Sequence, residues 1–566
     1  MDMVLKIRAT TRLLLSILIG LSFCLSACNW QSDRLIPKPG DTSLPAGKEG
    51  LVISNGTEPE TLDPQKAVGQ PEIQVISDLF EGLMSEDNEG RLVPGVADHW
   101  QNQDDKTWVF HIREDAKWSN GAPLTAHDFV YAWQRLSDPQ TASSYAGFLT
   151  DMQIENADRI IKGELPPSAL GVEAKNSHTL VVHLSKPVPY LLQMLINSAT
   201  FPNYRSVIEK YGNKWTQPEH IVSNGAFRLS EWYVNNRVVV KKNPYYWDSK
   251  NVHLNEITYL PIQQPMADVI AFLSGRIDIT SGSLPPAIYE KLKKIYSKEI
   301  YDLPVLCTTY YEINLHYKPF QDGRVRQALS ILVNRSDITD RLLRQGQKIC
   351  YTLTPSNMPG FKVPRPEFAD WTVEKRIAKA KELLSKAGYN HNHPLKFSIL
   401  YANKDSNKML TVALVSEWKS KIPFIEVTLD NKEWKSYLQA RRQHQFEMVY
   451  SNWCADYHDA TTFLNIFRSD STNNHNYYHS TTYDTILNTG LDTHLSKDER
   501  EKVYARAEQQ LFRDVPFIAL YTTAMPRLVK PYVRGINAKT PAFTIRSKYL
   551  SLQSDFSHAR GIPKKP

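Results

Sequence analysis

The sequence predicts a multi-domain α/β protein, and three observations carry that expectation. The chain has 566 residues, too many for one hydrophobic core, so two or three domains are expected. Its 42% hydrophobic and 22% charged content is that of ordinary globular material. From Leu51 onward, short β-branched or aromatic runs alternate with helical patterns, the signature of mixed α/β architecture.

The amino terminus stands apart from that pattern. Lys6, Arg8 and Arg12 precede an uncharged apolar run from Leu13 to Leu25, followed by Ser26, Ala27 and Cys28. The run is shorter than the roughly 20 residues of a spanning helix and ends in small residues, so residues 1–27 read as a signal peptide. Leu25-Ser26-Ala27-Cys28 resembles the bacterial lipobox, which makes Cys28 the expected lipidation site, with palmitate-type chains holding the mature protein to a membrane. Asn29 does not decide between inner and outer membrane. Residues 28–48 are rich in Pro, Gly, Ser and charge and read as a flexible tether. No second run of membrane-spanning length follows.

LVISN at 51–55 reads as a strand and PEIQVISDLFEGLM at 71–84 as a helical pattern. TWVFHIR alternates, which places Trp108, Phe110 and Ile112 on one face, and Ser119-Asn120-Gly121 is a turn signal. AHDFVYAWQRL is helical; HTLVVHLS, RVVVKKN and EITYLPI are further strands; PFIALYTT reads as a buried strand near the end. Apolar residues at three- and four-residue spacing predict helices over 322–333, 373–387 and 498–512. No repeat period is evident.

Composition narrows the function. The formal charge is +7; loss of Lys6, Arg8, Arg12 and Asp2 with the signal leaves about +5, spread along the chain, with none of the basic blocks that track a phosphate backbone. Nucleic acid is excluded as a partner. The 28 Tyr, 20 Phe and 12 Trp make 11% of the chain, enough to build cores and also to line a large cleft that is half apolar and half wet. Cys307, Cys350 and Cys454 remain in the mature chain beyond Cys28; an odd number allows one internal pair, and no two lie close enough for a zinc pattern.

Catalytic constellations are missing: there is no GxSxG, HExxH, GxxxxGK[ST], or GxGxxG after a strand. His391 and His393 flank Asn392 in what reads as a solvated loop. Asp456, His458 and Asp459 lie close in sequence and leave an envelope hydrolase as a remote alternative, although sequence proximity says nothing of spatial separation. The expectation is a non-enzyme with no cofactor and no metal.

Ordered blocks across the chain carry a family likeness: SNGTEPETLDPQ, DLFEGLM, TWVFHIREDAKWSNGAPLTAHDFVYAW, IVSNGAFRLSEW, NPYYW, SGRIDIT, TTYYEIN, GRVRQALS, NWCADYHDATTFLN and RLVKP. From Leu51 to about Leu552 the chain resembles the periplasmic oligopeptide-binding proteins, the peptide class of solute receptors for ABC importers. The resemblance implies a three-domain periplasmic-binding-protein fold, with two lobes closing about a hinge and an additional domain. Carried onto this chain, 49–80, 205–306 and 525–560 form the first lobe, 81–204 the additional domain and 307–524 the second lobe. It also implies a monomer on the periplasmic side of the envelope that captures short peptides and delivers them to an inner-membrane permease and its ATPases. Peptides would bind by strand addition, with side chains in hydrated pockets.

The same resemblance assigns residues. Asp456 stands where the family pairs an aspartate with the peptide α-ammonium group, and a carboxylate in a closed cleft gains strongly from an arriving cation. Cys307 and Cys454 match the family's disulfide, a closure whose entropic value is at most about 4 to 5 kcal/mol; Cys350 is then free. Trp434 and Trp453 match pocket tryptophans, Tyr145 a tyrosine that closes over the ligand, and Cys454 lines the same pocket. At the peptide's carboxyl end the chain departs from the pattern. Arg441 matches one family arginine, but Tyr450 occupies the place of a second, Asn407 that of a histidine, and Leu343 that of a lysine. Arg344 or Lys408 is the expected substitute cation. The departure opens a murein (cell-wall) tripeptide as an alternative ligand, with haem or glutathione as a further one, and an adhesin or scaffold anchored through Cys28 as another class of function.

Overall fold

The computed structural model describes Ile36 and residues 43–303, 305–358, 361–492, 495–537 and 544–553. The expected signal peptide, Cys28 and residues 554–560 of the expected first lobe lie outside these. Among the described residues no helix is long and apolar enough to cross a membrane.

Three large sheets organise the chain. The first joins Gly50–Ser54, Glu256–Leu260, Arg237–Lys242 and Phe227–Tyr233 in that spatial order, with the first pair parallel and the others antiparallel. The second is antiparallel and draws on Ala97–Asn102, Thr107–Ile112, Thr179–His183 and Val172–Asn176. Phe110 and Ile112 of its TWVFHI strand are buried and Trp108 partly so, the face that alternation predicts. Both sheets share one continuous core.

The third sheet has six strands in the order Lys348–Ile349, Phe517–Thr522, Cys307–Ile313, Met448–Cys454, Leu395–Ala402, Ile425–Lys432. Its central strand CTTYYEI is buried at every position, because helices cover both faces. Tyr311 and Ile313 pack in a core with helices Gly323–Leu332, Val373–Lys386 and Asp405–Lys421, while Tyr310 packs in a second core with Lys497–Asp514. This three-layer arrangement explains why PFIALYTT reads as a buried strand: all of Phe517–Thr522 is inside. The helices predicted from apolar spacing form close to the expected limits. Two carry legible starts, Thr372 accepting from the Lys375 amide and a Ser496–Glu499 capping box.

Leu395–Ala402, Ile425–Lys432 and Met448–Cys454 run parallel, linked by helices Asp405–Lys421 and Trp434–Arg442. Their carboxyl ends therefore open on one side of the sheet, the position where α/β folds place ligands. Register continues the logic. Cys307 pairs directly with Cys454, Thr309 with Asn452 and Tyr311 with Tyr450, so these share one face, whereas Tyr310, Glu312, Ser451 and Trp453 share the other. Cys307 and Cys454 are joined by a disulfide across a sequence separation of 147 residues, and Cys350 is a free, buried thiol.

The end of the expected tether is held rather than loose. Leu44 packs against the main core, and Lys48 forms an ion pair of 2.9 Å with buried Asp278. A buried aspartate needs a partner, and Lys48 meets that need just before the first strand.

A mature chain lacking Cys28 should, when denatured without reductant, titrate one thiol, and three after reduction. Replacing both Cys307 and Cys454 by Ser should lower unfolding stability by about 2 to 4 kcal/mol, read as a shift of the denaturant midpoint at unchanged slope.

Candidate functional site

A cleft lies where the carboxyl ends of the six-stranded sheet meet the other two sheets. It has two chambers, of about 320 Å³ and about 300 Å³, which share Trp434, Tyr450, Asn452 and Cys454 as a common wall. Tyr145, Asn197, Trp453, Arg441 and Asp456 line the first chamber. Thr309, Leu343, Lys404, Tyr521 and Ser281 line the second.

Asp456 follows the end of Met448–Cys454 by two residues. Its amide donates to Thr462 Oγ1 (2.8 Å), and the neighbouring Trp453 indole donates to Thr462 O (3.1 Å), so one turn fixes both. The carboxylate accepts from Asn197 Nδ2 (2.7 Å) and Tyr145 Oη (3.2 Å), both on Oδ1. Oδ2 remains for a ligand. Neither donor is charged, and among the described residues no cation pairs with Asp456. Burial therefore pushes its carboxyl up to about 7, against the two hydrogen bonds, which pull the other way. A partly buried carboxylate with neutral donors and an open cavity before it is suited to an incoming cation.

Aromatic rings close the space around it. Tyr145 stacks on Trp453 with ring centres 6.4 Å apart, and Tyr457 lies between Tyr190 (5.4 Å) and Phe148 (6.1 Å). Trp434 stacks on Tyr437 (5.6 Å) and its indole donates to Glu72 Oε1 (3.3 Å). An ion pair between Arg442 and Glu60 (2.5 Å) adds a second tie across the cleft.

The predicted residues are thus brought together, but not all in the expected state. Arg441 lines the first chamber yet is already paired with Glu312 at 3.0 Å. Burial opposes its charge, but Glu312 outweighs this and holds the guanidinium pKa above its usual value. Tyr450 lines both chambers, and its carbonyl accepts from Tyr437 Oη (2.6 Å). Arg344 and Lys408, the expected substitute cations, are exposed and line neither chamber. The Asn407 amide is turned to the Ala402 carbonyl (3.0 Å). Asp459 caps the following turn through the Thr461 amide (2.9 Å) and hydroxyl (2.7 Å) rather than joining Asp456.

Sequence reasoning missed Asn197, Glu72, Glu60 with Arg442, and the Lys548–Glu81 ion pair (2.9 Å) at the far side of the first chamber. Only the tertiary fold brings these together. It also missed Asp98, His99 and His111, the one group among the described residues with metal-ligand donors in reach of each other. Asp98 Oδ1 lies 2.6 Å and 2.9 Å from the two imidazole Nδ1 atoms, and the group lines neither chamber.

Comparison with known proteins gives one consistent result. Residues 91–475 match the family described as bacterial extracellular solute-binding proteins, family 5 Middle. The periplasmic oligopeptide-binding protein OppA of Salmonella typhimurium is 45% identical, covering 89% of this chain and 93% of its own. The crystal structure of Haemophilus influenzae OppA in complex with RPPGFSPFR superposes with a TM-score of 0.87 at 41% identity, covering 89% of this chain and 99% of that one. The Escherichia coli murein tripeptide binding protein MppA also reaches 0.87, at 38% identity over 90% of this chain and 99% of that one. The same MppA in its unliganded open form reaches only 0.63 at equal identity and coverage of this chain. The lobes here therefore stand together, as the contacts across the cleft require.

The raised carboxyl gives a signed pH prediction. Affinity for a ligand carrying a primary ammonium should fall about tenfold from pH 8 to pH 6 as Asp456 takes up its proton, and Asp456→Asn should flatten that dependence in calorimetric titrations. Because the folded carboxyl titrates near 7 and the unfolded one near 3.8, the empty protein loses stability as pH rises between those values. Unliganded Asp456→Asn should accordingly melt a few degrees above the parent at pH 8 and close to it at pH 4.

Proposed function

Because the chain belongs to the family 5 bacterial extracellular solute-binding proteins, we propose that it captures short peptides outside the cytoplasmic membrane and hands them to an ABC importer. The observation that carries this reading is Asp456: a carboxylate enclosed in a cleft, with two neutral donors on one oxygen and no cation paired with it among the described residues. A peptide's α-ammonium group supplies the missing charge, and two or three hydrogen-bonded contacts to such a group fix register along the chain. The relatives' names and the peptide complex of the Haemophilus influenzae protein support the ligand class.

The division of labour follows the sheets. The first lobe takes 49–80, 205–306 and 525–560, the additional domain 81–204 and the second lobe 307–524. The additional domain contributes Tyr145 and Asn197 to Asp456 of the second lobe. Closing the lobes therefore completes the ammonium site and shuts out water, a hinge motion coupled to binding. Peptide backbone would run past the shared wall of Trp434, Tyr450 and Asn452, with side chains in the two chambers. Lipid on Cys28 would keep the receptor at the membrane beside the permease. The role is binding without turnover, consistent with Asp459 being occupied as a cap and with relatives named as binding proteins.

A second reading names a murein tripeptide as ligand. The likeness to MppA favours it, as does Tyr450 standing where a cation was expected. Titration with murein tripeptide and with ordinary lysine-containing peptides decides: tight binding of the latter alone sinks this reading.

Tri- to pentapeptides should raise the melting temperature and return intact by mass spectrometry, whereas a hydrolase would return fragments. Breaking the buried pair by Asp456→Ala, or by N-acetylating the peptide, should weaken binding by about 100-fold or more while circular dichroism stays unchanged. Unaltered affinity in either case refutes the assignment of Asp456.

A further inference from the structure

The second chamber holds a partly buried positive charge that no ion pair neutralises among the described residues. Lys404 stands between the carboxyl end of strand Leu395–Ala402 and the start of helix Asp405–Lys421, and its side chain lines this chamber. Among the described residues its ammonium makes no ion pair and no hydrogen bond. The nearest opposing charge is Asp268, which acts on Lys404 without reaching ion-pair distance. Asp268 accepts from the Ser281 amide and hydroxyl, both at 2.8 Å and both on Oδ2, while its buried Oδ1 has no hydrogen-bond partner among the described residues. The same carboxylate also acts on Arg527, a buried guanidinium whose one hydrogen bond among the described residues goes to the Thr280 carbonyl (3.0 Å). One carboxylate thus faces two enclosed cations, and this corner carries a surplus positive charge.

Burial holds both cations below their usual pKa, Arg527 at about 10. A cation enclosed without a partner is costly, and chains retain one where a ligand completes it. The local backbone adds to the effect. Ser406 and Asn407 line the chamber, and as first-turn residues of a helix of 17 residues their amides have no intrahelical acceptor. The positive end of the helix dipole therefore lies beside Lys404.

We infer that Lys404, with the start of its helix, receives an acidic group of the bound peptide in the second chamber, opposite in sign and place to Asp456 in the first. This rests on the peptide-receptor reading and deepens it. The acid could be the α-carboxylate of a peptide long enough to pass the wall of Trp434, Tyr450 and Asn452, or an acidic side chain of a shorter span. Lys404 replaces the cations expected at the carboxyl end: Arg441 is consumed by Glu312, and Arg344 and Lys408 point to solvent. The receptor would thus select peptides by charge at both ends of one cleft.

The test uses alanine tri-, tetra- and pentapeptides, each as free acid and as C-terminal amide, titrated calorimetrically into the mature protein, Lys404→Met and Asp456→Asn. Amidated peptides with a single Glu at each position form the side-chain arm. In the parent, at least one length of free acid, or one Glu position, should bind about tenfold or more tighter than its uncharged counterpart. In Lys404→Met that ratio should collapse toward one, with the melting temperature of the empty variant at or above that of the parent. A parent that binds peptides without distinguishing acid from amide overturns the inference, as does a ratio that survives in Lys404→Met. If these fail while Asp456→Asn still loses binding, the receptor reading stands alone; if no peptide binds the parent, both fall.

Discussion

The arrangement of this molecule turns on the cost of enclosing the Asp456 carboxylate. A group that prefers water by many kcal/mol is held inside a cleft by neutral donors only, and the surrounding structure is what keeps it there. The disulfide ties the strand that ends just before it to the central strand of the sheet. Thr462 fixes its turn from below. Tyr145 and Asn197 reach it from the opposite wall. Rigidity on one side and donors on the other leave one oxygen without a hydrogen bond among the described residues in an aromatic enclosure, a geometry that would favour a compact cation.

The two chambers form an electrostatic pair. The first offers an uncompensated negative charge, and the second Lys404, with Asp268 acting on both it and the neighbouring Arg527. Elsewhere in the cleft charge is cancelled internally: Arg441 by Glu312, Arg442 by Glu60, Lys548 by Glu81. Internal pairs of this kind do little to select a ligand, because displacing them costs what they would offer. On the proposed reading, discrimination would fall instead to Asp456 and Lys404, and the stretch between them, lined by Trp434, Tyr450 and Asn452, would stay tolerant of side-chain shape.

Much of the fold was legible in the sequence because it depends on local periodicity. The alternation in TWVFHIR, the apolar spacing in VEKRIAKAKELLSKA and the unbroken run PFIALYTT each map onto an element whose burial matches the pattern. The site was legible only where a motif carried it. Asp456, Trp453, Cys454 and Tyr145 meet as the family likeness implies. Asn197 could not be foreseen, since it reaches Asp456 from 259 residues away in sequence. Arg344 and Lys408, expected as substitute cations because they are close in sequence to the aligned positions, are exposed and line neither chamber, since exposure is decided by the helix and turn geometry around them. Lys404 lies three residues from Asn407, at the helix start rather than within it, and lines the second chamber.

The shell of Asp456 is drawn from both sides of the cleft, and this has a kinetic consequence. Moving the walls apart withdraws the Tyr145 and Asn197 donors together, so the carboxylate regains water in the same motion that frees its guest. Escape is then timed by the opening of the lobes rather than by successive loss of contacts, and a membrane partner that pries the lobes apart would receive the cargo in a single step.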